Sequence, residues 1–265
     1  MDNCDAFKAM QRQGWAHFAP LENSTMIPAA ELVSFAGIHS GQKVLDVACG
    51  TGVVAVTAAR AGAAVTGLDL TPELLERARY NAQLAGVKVD WHEGDVEKLP
   101  FDDAAFDAVV SQFGHIFAPR PELAVGEMLR VLKPGGTIAF STWPPHAMIG
   151  KTFTLVAKYS PSRPADVPPP TEWGDERIIR ERLGKNVRDI AMRRGTMISA
   201  ALSLQHYRAF AEKAAGPLVK LVEALSASDP VALESFRRDF EAAAAEYYSE
   251  NAMRQEFLST RAIKN

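Results

Sequence analysis

The sequence predicts an α/β fold in which a parallel sheet is covered by helices on both faces, a three-layer αβα arrangement. Apolar runs of strand length alternate with segments of helix length from Lys43 onwards. The segments between successive runs are long enough for crossover helices, which parallel neighbours require. With 47% of its 265 residues apolar, the chain can bury both faces of such a sheet within a single domain spanning 1–265.

Residues 1–39 read as an N-terminal helical lid. A helix is expected to open near Pro28, where a proline in the first turn forfeits no hydrogen bond, and to end between Gly37 and Gly41. Lys43–Ala48 then reads as a buried strand, Val53–Ala61 as an alanine-rich helix and Ala64–Leu68 as a second strand. The next helix, Pro72–Ala85, has Thr71 as its N-cap, Pro72 to preset the first φ and Gly86 at C′. Strands at Lys88–His92, Ala105–Gln112 and Thr137–Thr142, with a helix at Pro121–Leu132 between the last two, complete a ligand-binding core at 40–145. Five prolines within 160–170 exclude regular helix and central strand, so this stretch is expected to be a loop or lid segment. Beyond it come a helix at Asp175–Leu183, a strand near Val187–Met192, two helices at Leu202–Leu225 and Pro230–Tyr248, and a last strand at Arg254–Ala262. The helices belong to an insertion or cap at 195–250. Their apolar positions exceed what a free pair could bury, so they either cover the mouth of a site or form a homodimer interface.

Bulk properties narrow the partners. A formal charge of −3 and a pI near 6.1 offer no global attraction to nucleic acid or to an anionic membrane surface, leaving a small molecule as the expected partner. Two cysteines, Cys4 and Cys49, are too few for a disulfide framework or a cysteine metal cluster, so no metal is expected and a reducing, cytoplasmic setting fits. The N-terminus has neither a basic start nor an apolar run, and no stretch of 18 apolar residues follows, so neither secretion nor membrane spanning is expected.

The chemistry concentrates in VLDVACGTGVVA, residues 44–55, which reads as a strand, a tight turn and a helix. Gly50 and Gly52 flank Thr51 and can take positive φ, so the turn backbone can approach a ligand closely. Asp46 and that backbone are placed for a ligand's ammonium and carboxylate groups. Asp69, seventeen residues after Gly52, ends the second strand, where a carboxylate accepts from ribose hydroxyls. Asp95 follows the third strand and suits an exocyclic amine while Val96 packs on the ring. The blander readings are an ordinary strand-to-helix turn for the glycines, a helix cap for Asp69 and a surface loop for Asp95.

Taken with GLDLTPELLERAR, EGDVEKLPF, FDAVVSQFGHIF and LRVLKPGG, in this order over about residues 40–142, the segment VLDVACGTG resembles the class I S-adenosylmethionine-dependent methyltransferases. The branch it is most similar to is the broad group that includes the quinone-biosynthesis C-methyltransferases. The resemblance implies a Rossmann-like fold with a seven-stranded, mostly parallel sheet carrying one antiparallel strand, S-adenosylmethionine as cofactor with S-adenosylhomocysteine as product, and in-line methyl transfer to a small-molecule acceptor. It also implies that Asp46, Ala48, Gly50, Thr51 and Gly52 contact the methionine portion, Ala48 standing where the family has its first turn glycine. Asp69 and Leu70 would serve ribose and adenine, Asp95 and Val96 the adenine, and Ser111 and Gln112 the methionine side, with Trp15 reaching the cofactor from the lid. Lys133–Gly136 would be a structural turn. SQFG at residues 111–114 departs from the N/D-P-P-aromatic turn of enzymes that methylate planar amides or adenine amines, and two cysteines speak against arsenite chemistry.

Following the fourth strand, His115 is the candidate general base, with His146 a weaker one; the alternative for His115 is packing against Phe113 and Phe117. At most two of Trp15, Phe18, Trp143 and Trp173 are expected to line an apolar acceptor pocket. Arg177–Arg194 holds seven basic residues against two acidic ones, an attraction for an anionic acceptor or simply a solvated face. Two rivals remain: a nicotinamide oxidoreductase, since residues 50–55 also satisfy G-x-G-x-x-A, and a regulatory protein that binds S-adenosylmethionine without turnover.

Overall fold

A computed structural model describes residues 3–160, 164 and 166–265. Its eight strands are β1 (Lys43–Val47), β2 (Ala64–Asp69), β3 (Val89–Glu93), β4 (Phe106–Gln112), β5 (Leu132–Thr142), β6 (Val187–Ala200), β7 (Tyr248–Ser249) and β8 (Ala252–Lys264). They form one sheet in the order β3-β2-β1-β4-β5-β8-β6, with β7 added to β8. The first five are mutually parallel, and β8 runs antiparallel between β5 and β6. This is the expected αβα fold with one strand more than seven, the addition being the two-residue β7.

The helices are α1 (Asn3–Trp15), α2 (Glu22–Ala36), α3 (Val53–Arg60), α4 (Pro72–Leu84), α5 (Pro121–Val131), α6 (Met148–Tyr159), α7 (Glu176–Leu183), α8 (Leu204–Ala214), α9 (Gly216–Ser228) and α10 (Pro230–Ala244). Alternation along β1 shows how the layers are divided. Val44 joins a core with Ala29 and Leu32 of α2 and Ala55 and Ala58 of α3, while Leu45 and Val47 join Val125 and Met128 of α5 on the opposite face. Asp46 shares the face of Val44, which directs a carboxylate at the start of α3. A third cluster, built from α6, α8, α9 and α10 around Tyr207, Leu218, Phe236 and Phe240, stands over the carboxyl ends of the strands. The order of the sheet reverses between β1 and β4, and a crevice opens outside their carboxyl ends, the position where open α/β sheets take ligands.

Several local expectations require correction. The helix expected to open at Pro28 starts six residues earlier, at Glu22, and Pro28 lies in its interior. Proline withdraws the N–H owed to Ser24 and crowds that turn; the neighbouring carbonyl of Thr25 instead accepts from Gln112 Nε2 at 3.0 Å. Thr71 occupies the N-cap position of α4, yet its side chain makes no capping bond. The expected helix 202–225 is broken into α8 and α9 at the extended Ala215; Pro217 cannot donate to α8 and instead sits in the first turn of α9, where its missing N–H forfeits no bond. There Gly216 crosses Gly14 of α1 so closely that a Cβ on Gly14 would lie 3.0 Å from the Gly216 carbonyl oxygen. α6 was not foreseen, and β6 runs eight residues past its predicted end because β8 pairs with it throughout. Part of the proline-rich stretch, residues 161–163 and 165, lies outside the described residues; Pro170 opens a short 3₁₀ turn that ends at Gly174. Among the described residues no helix is long and apolar enough to cross a membrane.

Candidate functional site

A cavity of about 230 Å³ lies at the reversal point, bounded by the turn after β1, the ends of β2 and β4, the loop after β3, and helices α1, α6, α8 and α9. The turn itself is unusual in backbone terms: Ala48, Gly50 and Gly52 all have positive φ, at 51°, 54° and 78°. Left-handed geometry costs an L-residue roughly 1–2 kcal/mol, which Ala48 bears with the smallest side chain available. Space is as restrictive as torsion here. A Cβ on Gly114 would come 2.5 Å from the Ala48 carbonyl oxygen, and one on Gly52 would meet Trp91 Cη2 at 2.6 Å. Gly52 is therefore shaped by Trp91 beneath it and does not border the cavity, whereas Ala48, Gly50 and Thr51 do.

Two buried carboxylates stand beside this turn. Asp46 is 1% exposed. One of its oxygens accepts from the N–H of Ala55 at 2.9 Å, and Oδ1 has no partner among the described residues. Burial pushes its carboxyl well above the ordinary range, opposed by the Ala55 N–H and reinforced by the charge of Asp69. Asp69 accepts from the Gly50 N–H at 2.7 Å and the Thr71 N–H at 2.8 Å, so it braces the glycine turn against β2. Burial raises its carboxyl too, with those two N–H groups opposing. Leu70 lies next to it on the cavity wall.

Asp95 and Val96 border the same cavity from the loop after β3. Asp95 accepts from its own loop at the Glu97 N–H (2.9 Å) and from Lys8 Nζ (2.5 Å), a contact that ties α1 to the site. Lys8 also pairs with buried Glu97, which Arg120 engages from the other side. Lys8 was not foreseen; a lone lysine on an amphipathic helix carries no signal of its own. Trp15, at the end of α1, lines the cavity and packs on Phe117 with ring centroids 4.6 Å apart.

The end of β4 separates the expected contacts. Gln112 faces the cavity; its Nε2 is spent on Thr25, and its Oε1 has no partner among the described residues. Ser111 points into the sheet, donating to the Val47 carbonyl at 2.8 Å and receiving the His115 N–H at 3.2 Å, so its role is to join β4 to β1. Phe113, unforeseen, adopts φ 62°, rare for a bulky residue. It is held there by a backbone bond to Ser141 at 3.0 Å and by stacking on Trp143 at 3.9 Å between centroids.

His115 does not border the cavity. It is fully buried between Phe140 and Trp173, at 4.8 and 4.6 Å between ring centroids, and neither ring nitrogen has a partner among the described residues. Burial, helped by the charge of Arg182, lowers its pKa to about 3, so the ring is neutral at physiological pH and out of reach of any acceptor. Its ring neighbours are thus Phe140 and Trp173, not the Phe113 and Phe117 of the packing alternative, and its place in the core does not suit the role of a base. His146 is on the surface beside Glu256 and Arg194. Of the four aromatic candidates Trp15, Phe18 and Trp143 line the cavity, one more than expected, and Trp173 belongs to the core beneath Arg182. In the basic segment 177–194, Arg182, its side chain nearly inaccessible, pairs with Glu172 and exposed Arg177 with Glu181, and none of its residues is among the cavity lining.

The walls farther from the turn are apolar: Phe153, Tyr207, Leu218 and Phe240 come from the helical cap, Phe117 from the 3₁₀ turn after β4 and Met197 from β6. Sequence reading found none of these, since helical aromatics look alike whether they fill a core or face a ligand.

Comparison with known proteins agrees with this architecture. A family model described as a methyltransferase domain matches residues 44–136. An uncharacterized protein of Mycobacterium tuberculosis (strain H37Rv) is 35% identical over 257 residues, covering 96% of this chain and 93% of its own length. A ubiquinone biosynthesis O-methyltransferase of Bordetella avium is 34% identical over 142 residues, 52% of this chain and 59% of its own. The structure of phosphoethanolamine N-methyltransferase 2 of Haemonchus contortus, in complex with phosphomonomethylethanolamine and S-adenosylhomocysteine, superposes with a TM-score of 0.56 at 18% identity, covering 89% of this chain and 52% of that one. The chain belongs to the class I S-adenosylmethionine-dependent methyltransferases.

Proposed function

We propose that the cavity holds S-adenosylmethionine with its amino-acid end at the turn 48–52, its ribose at Asp69 and its adenine between Asp95 and Val96, and that the methyl group is transferred in line to a small-molecule acceptor seated under the helical cap. The observation that carries this reading is the partnerless, buried Oδ1 of Asp46 beside a second buried carboxylate, Asp69. Two buried acids favour a ligand with positive charge, and an ammonium near Asp46 would supply the missing donor. The same pair argues against a nicotinamide dinucleotide, whose pyrophosphate would bring negative charge to the mouth of that turn. Thr51, which borders the cavity beside Gly50, suits the same polar end of the ligand. Ser111 and Gly52 support the site from behind and are not proposed as contacts.

The cofactor contributes a methyl group already activated on a sulfonium. What this chain contributes is position and dryness: Gln112 and Phe113 border the space between the cofactor end and the cap, and α1 with Trp15 covers its flank. Holding two reactants at near-attack distance can supply on the order of 7–11 kcal/mol in favourable intramolecular cases, so positioning alone is a sufficient mechanism. Residues 1–39 act as a lid and 195–250 as a cap in this reading, and the −3 charge and scarce cysteines support a cytoplasmic enzyme acting on a small molecule.

Titration calorimetry with S-adenosylhomocysteine, S-adenosylmethionine and NADH tests the cofactor site; heat with NADH and none with the first two overturns it. Transfer of labelled methyl to an acceptor then separates an enzyme from a silent binding protein.

A further inference from the structure

Resting on that reading, we infer that Glu22, in the first turn of α2, is a positioning residue for S-adenosylmethionine: its carboxylate sets the amide of Asn81 and, through it, the Thr51 carbonyl of the turn that receives the cofactor. Three observations carry it.

The first is the path from Glu22 to the turn. Glu22 is 4% exposed and lies off the cavity lining, whereas Thr51 is part of that lining. Asn81 of α4 spends its Nδ2 on both, donating to Glu22 Oε2 at 3.0 Å and to the Thr51 carbonyl at 3.0 Å. A carboxylate and a backbone carbonyl can only accept, so the two together settle which end of the amide faces them. Arg77, one helical turn before Asn81, donates to the same carboxylate through Nε at 3.0 and 3.1 Å and through Nη2. Burial raises the Glu22 carboxyl, and donation from Arg77 and Asn81 outweighs it, so the group lies below its ordinary range and is ionised. An ion pair serving only to dock α2 on α4 could sit in solvent at little cost. Here the carboxylate is sunk out of solvent while Arg77 stays half-buried, a desolvation that Arg77 and Asn81 must offset.

The second is what the turn needs. Ala48, Gly50 and Gly52 all have positive φ, and such a backbone persists only where its surroundings over-determine it. The Gly50 N–H is held by Asp69, and the Gly52 N–H closes on the Cys49 carbonyl at 2.9 Å. The Thr51 carbonyl belongs to the same planar peptide as the Gly52 N–H, so the Asn81 bond fixes that peptide from outside the turn. Without it, the restraint on that peptide passes to the Cys49 bond within the turn itself.

The third is that Glu22 stands on a fixed platform. The same turn of α2 is tied to the cavity wall at two further places. The Thr25 carbonyl accepts from Gln112 of β4, and Ser24 accepts from Ser199 of β6, which accepts in turn from Gln255 of β8, at 2.9 Å for each of these serine bonds. Thr25 Oγ1 closes the turn on the Glu22 carbonyl at 2.8 Å, and Pro28, with no N–H for Ser24, loosens it from the rest of α2. The strand ends around the cavity therefore place this turn, and it presents Glu22 to Asn81 at a set position. In Glu22→Gln, Arg77 draws the oxygen of the new amide, and the NH₂ group falls where Asn81 donates. Asn81 then turns its own oxygen inward and leaves the Thr51 carbonyl without its donor.

The test uses the full chain and calorimetry with S-adenosylhomocysteine. Glu22→Gln and Asn81→Ala should each weaken its binding about tenfold, the scale of one net hydrogen bond, and the double variant should lose no more than either, because both residues lie on one path. Amide hydrogen exchange in the ligand-free chain reads the turn without any cofactor: peptides covering 44–56 should exchange roughly fivefold faster in both variants, while those of α10 keep the wild-type rate. Asn81→Ala leaves the Glu22–Arg77 pair in place, so it tests the path where Glu22→Gln does not fold. A lower melting temperature with wild-type affinity and wild-type exchange in 44–56 would show that Glu22 only docks α2, and would overturn the inference. Unchanged affinity in Asn81→Ala, or losses that multiply in the double variant, would overturn it equally. A wild-type chain that takes up no S-adenosylhomocysteine would instead overturn the cofactor site, and this inference with it.

Discussion

Asp69 is a scaffold residue that also lines the cavity. Its carboxylate braces the turn through Gly50 and starts α4 through Thr71. Asp69→Asn keeps an acceptor oxygen for one backbone N–H and removes the charge, so S-adenosylhomocysteine should bind at least tenfold more weakly, about 1.4 kcal/mol, by calorimetry. Unchanged affinity would place the ribose elsewhere. His115 yields the opposite kind of prediction. Its folded pKa, about 3, lies below the ordinary value near 6.5, so the unfolded chain takes up a proton between these values while the folded one does not. The resulting stability is complete above about pH 6.5 and drains away as pH falls toward 3. His115→Leu should flatten that acid slope, by roughly 2 kcal/mol between pH 6.5 and 5 at 1.36 kcal/mol per unit, while turnover stays near wild type. Equal slopes in wild type and variant would show that His115 can ionise in place. At this scale the acids were legible because strand-end carboxylates beside a glycine turn have a local spacing. His115 was misread, since which side of a one-turn 3₁₀ helix faces the cavity is decided by Phe140 and Trp173, distant in sequence.

Among the elements, those whose signals are local were read closely: β1, β2, β4, α3, α4 and α5 carry alternation, small-residue faces or proline starts within their own windows. The cap was read poorly for a physical reason. Its helices bury their apolar faces against one another and against β8, so no single window shows a sheet-facing stripe, and the Gly216–Pro217 break looks like a tolerable irregularity until Gly14 is seen packed upon it. α1 is the element whose docking is most directly testable, because Lys8 is its charged anchor, bridging Asp95 and nearly inaccessible Glu97. Lys8→Met leaves Glu97 with Arg120 alone in a buried setting. We expect a loss of about 1–3 kcal/mol in stability, earlier proteolysis within residues 3–15, and easier quenching of Trp15 fluorescence by acrylamide. Wild-type proteolysis in this variant would show that α1 is held by Trp15 and Gly14 packing alone.

On the scale of the whole molecule, the fold stores an electrostatic imbalance that a cationic ligand bound at the proposed site would relieve. Asp46 and Asp69 are both buried, both raised in pKa, and close enough for the charge of one to raise the other. A carboxyl raised in the folded state favours folding most where it is protonated, at low pH, and that contribution fades as pH climbs through the folded pKa. A ligand carrying an ammonium and a sulfonium favours the ionised forms, so its binding lowers both pKa values and expels protons. Two consequences follow by linkage. The affinity for S-adenosylmethionine should rise with pH, by up to tenfold per unit for each proton released, over the window between the bound and free pKa values. Calorimetry in buffers of different ionisation enthalpy should register net proton release, smaller for S-adenosylhomocysteine, which lacks the sulfonium charge. Asp46→Asn should abolish most of that release while leaving the fold intact, because the amide oxygen can still accept from Ala55. Proton uptake on binding, or a pH-independent affinity in wild type, would show that these carboxylates are already ionised in the free protein and that the turn after β1 is poised for its ligand by geometry alone.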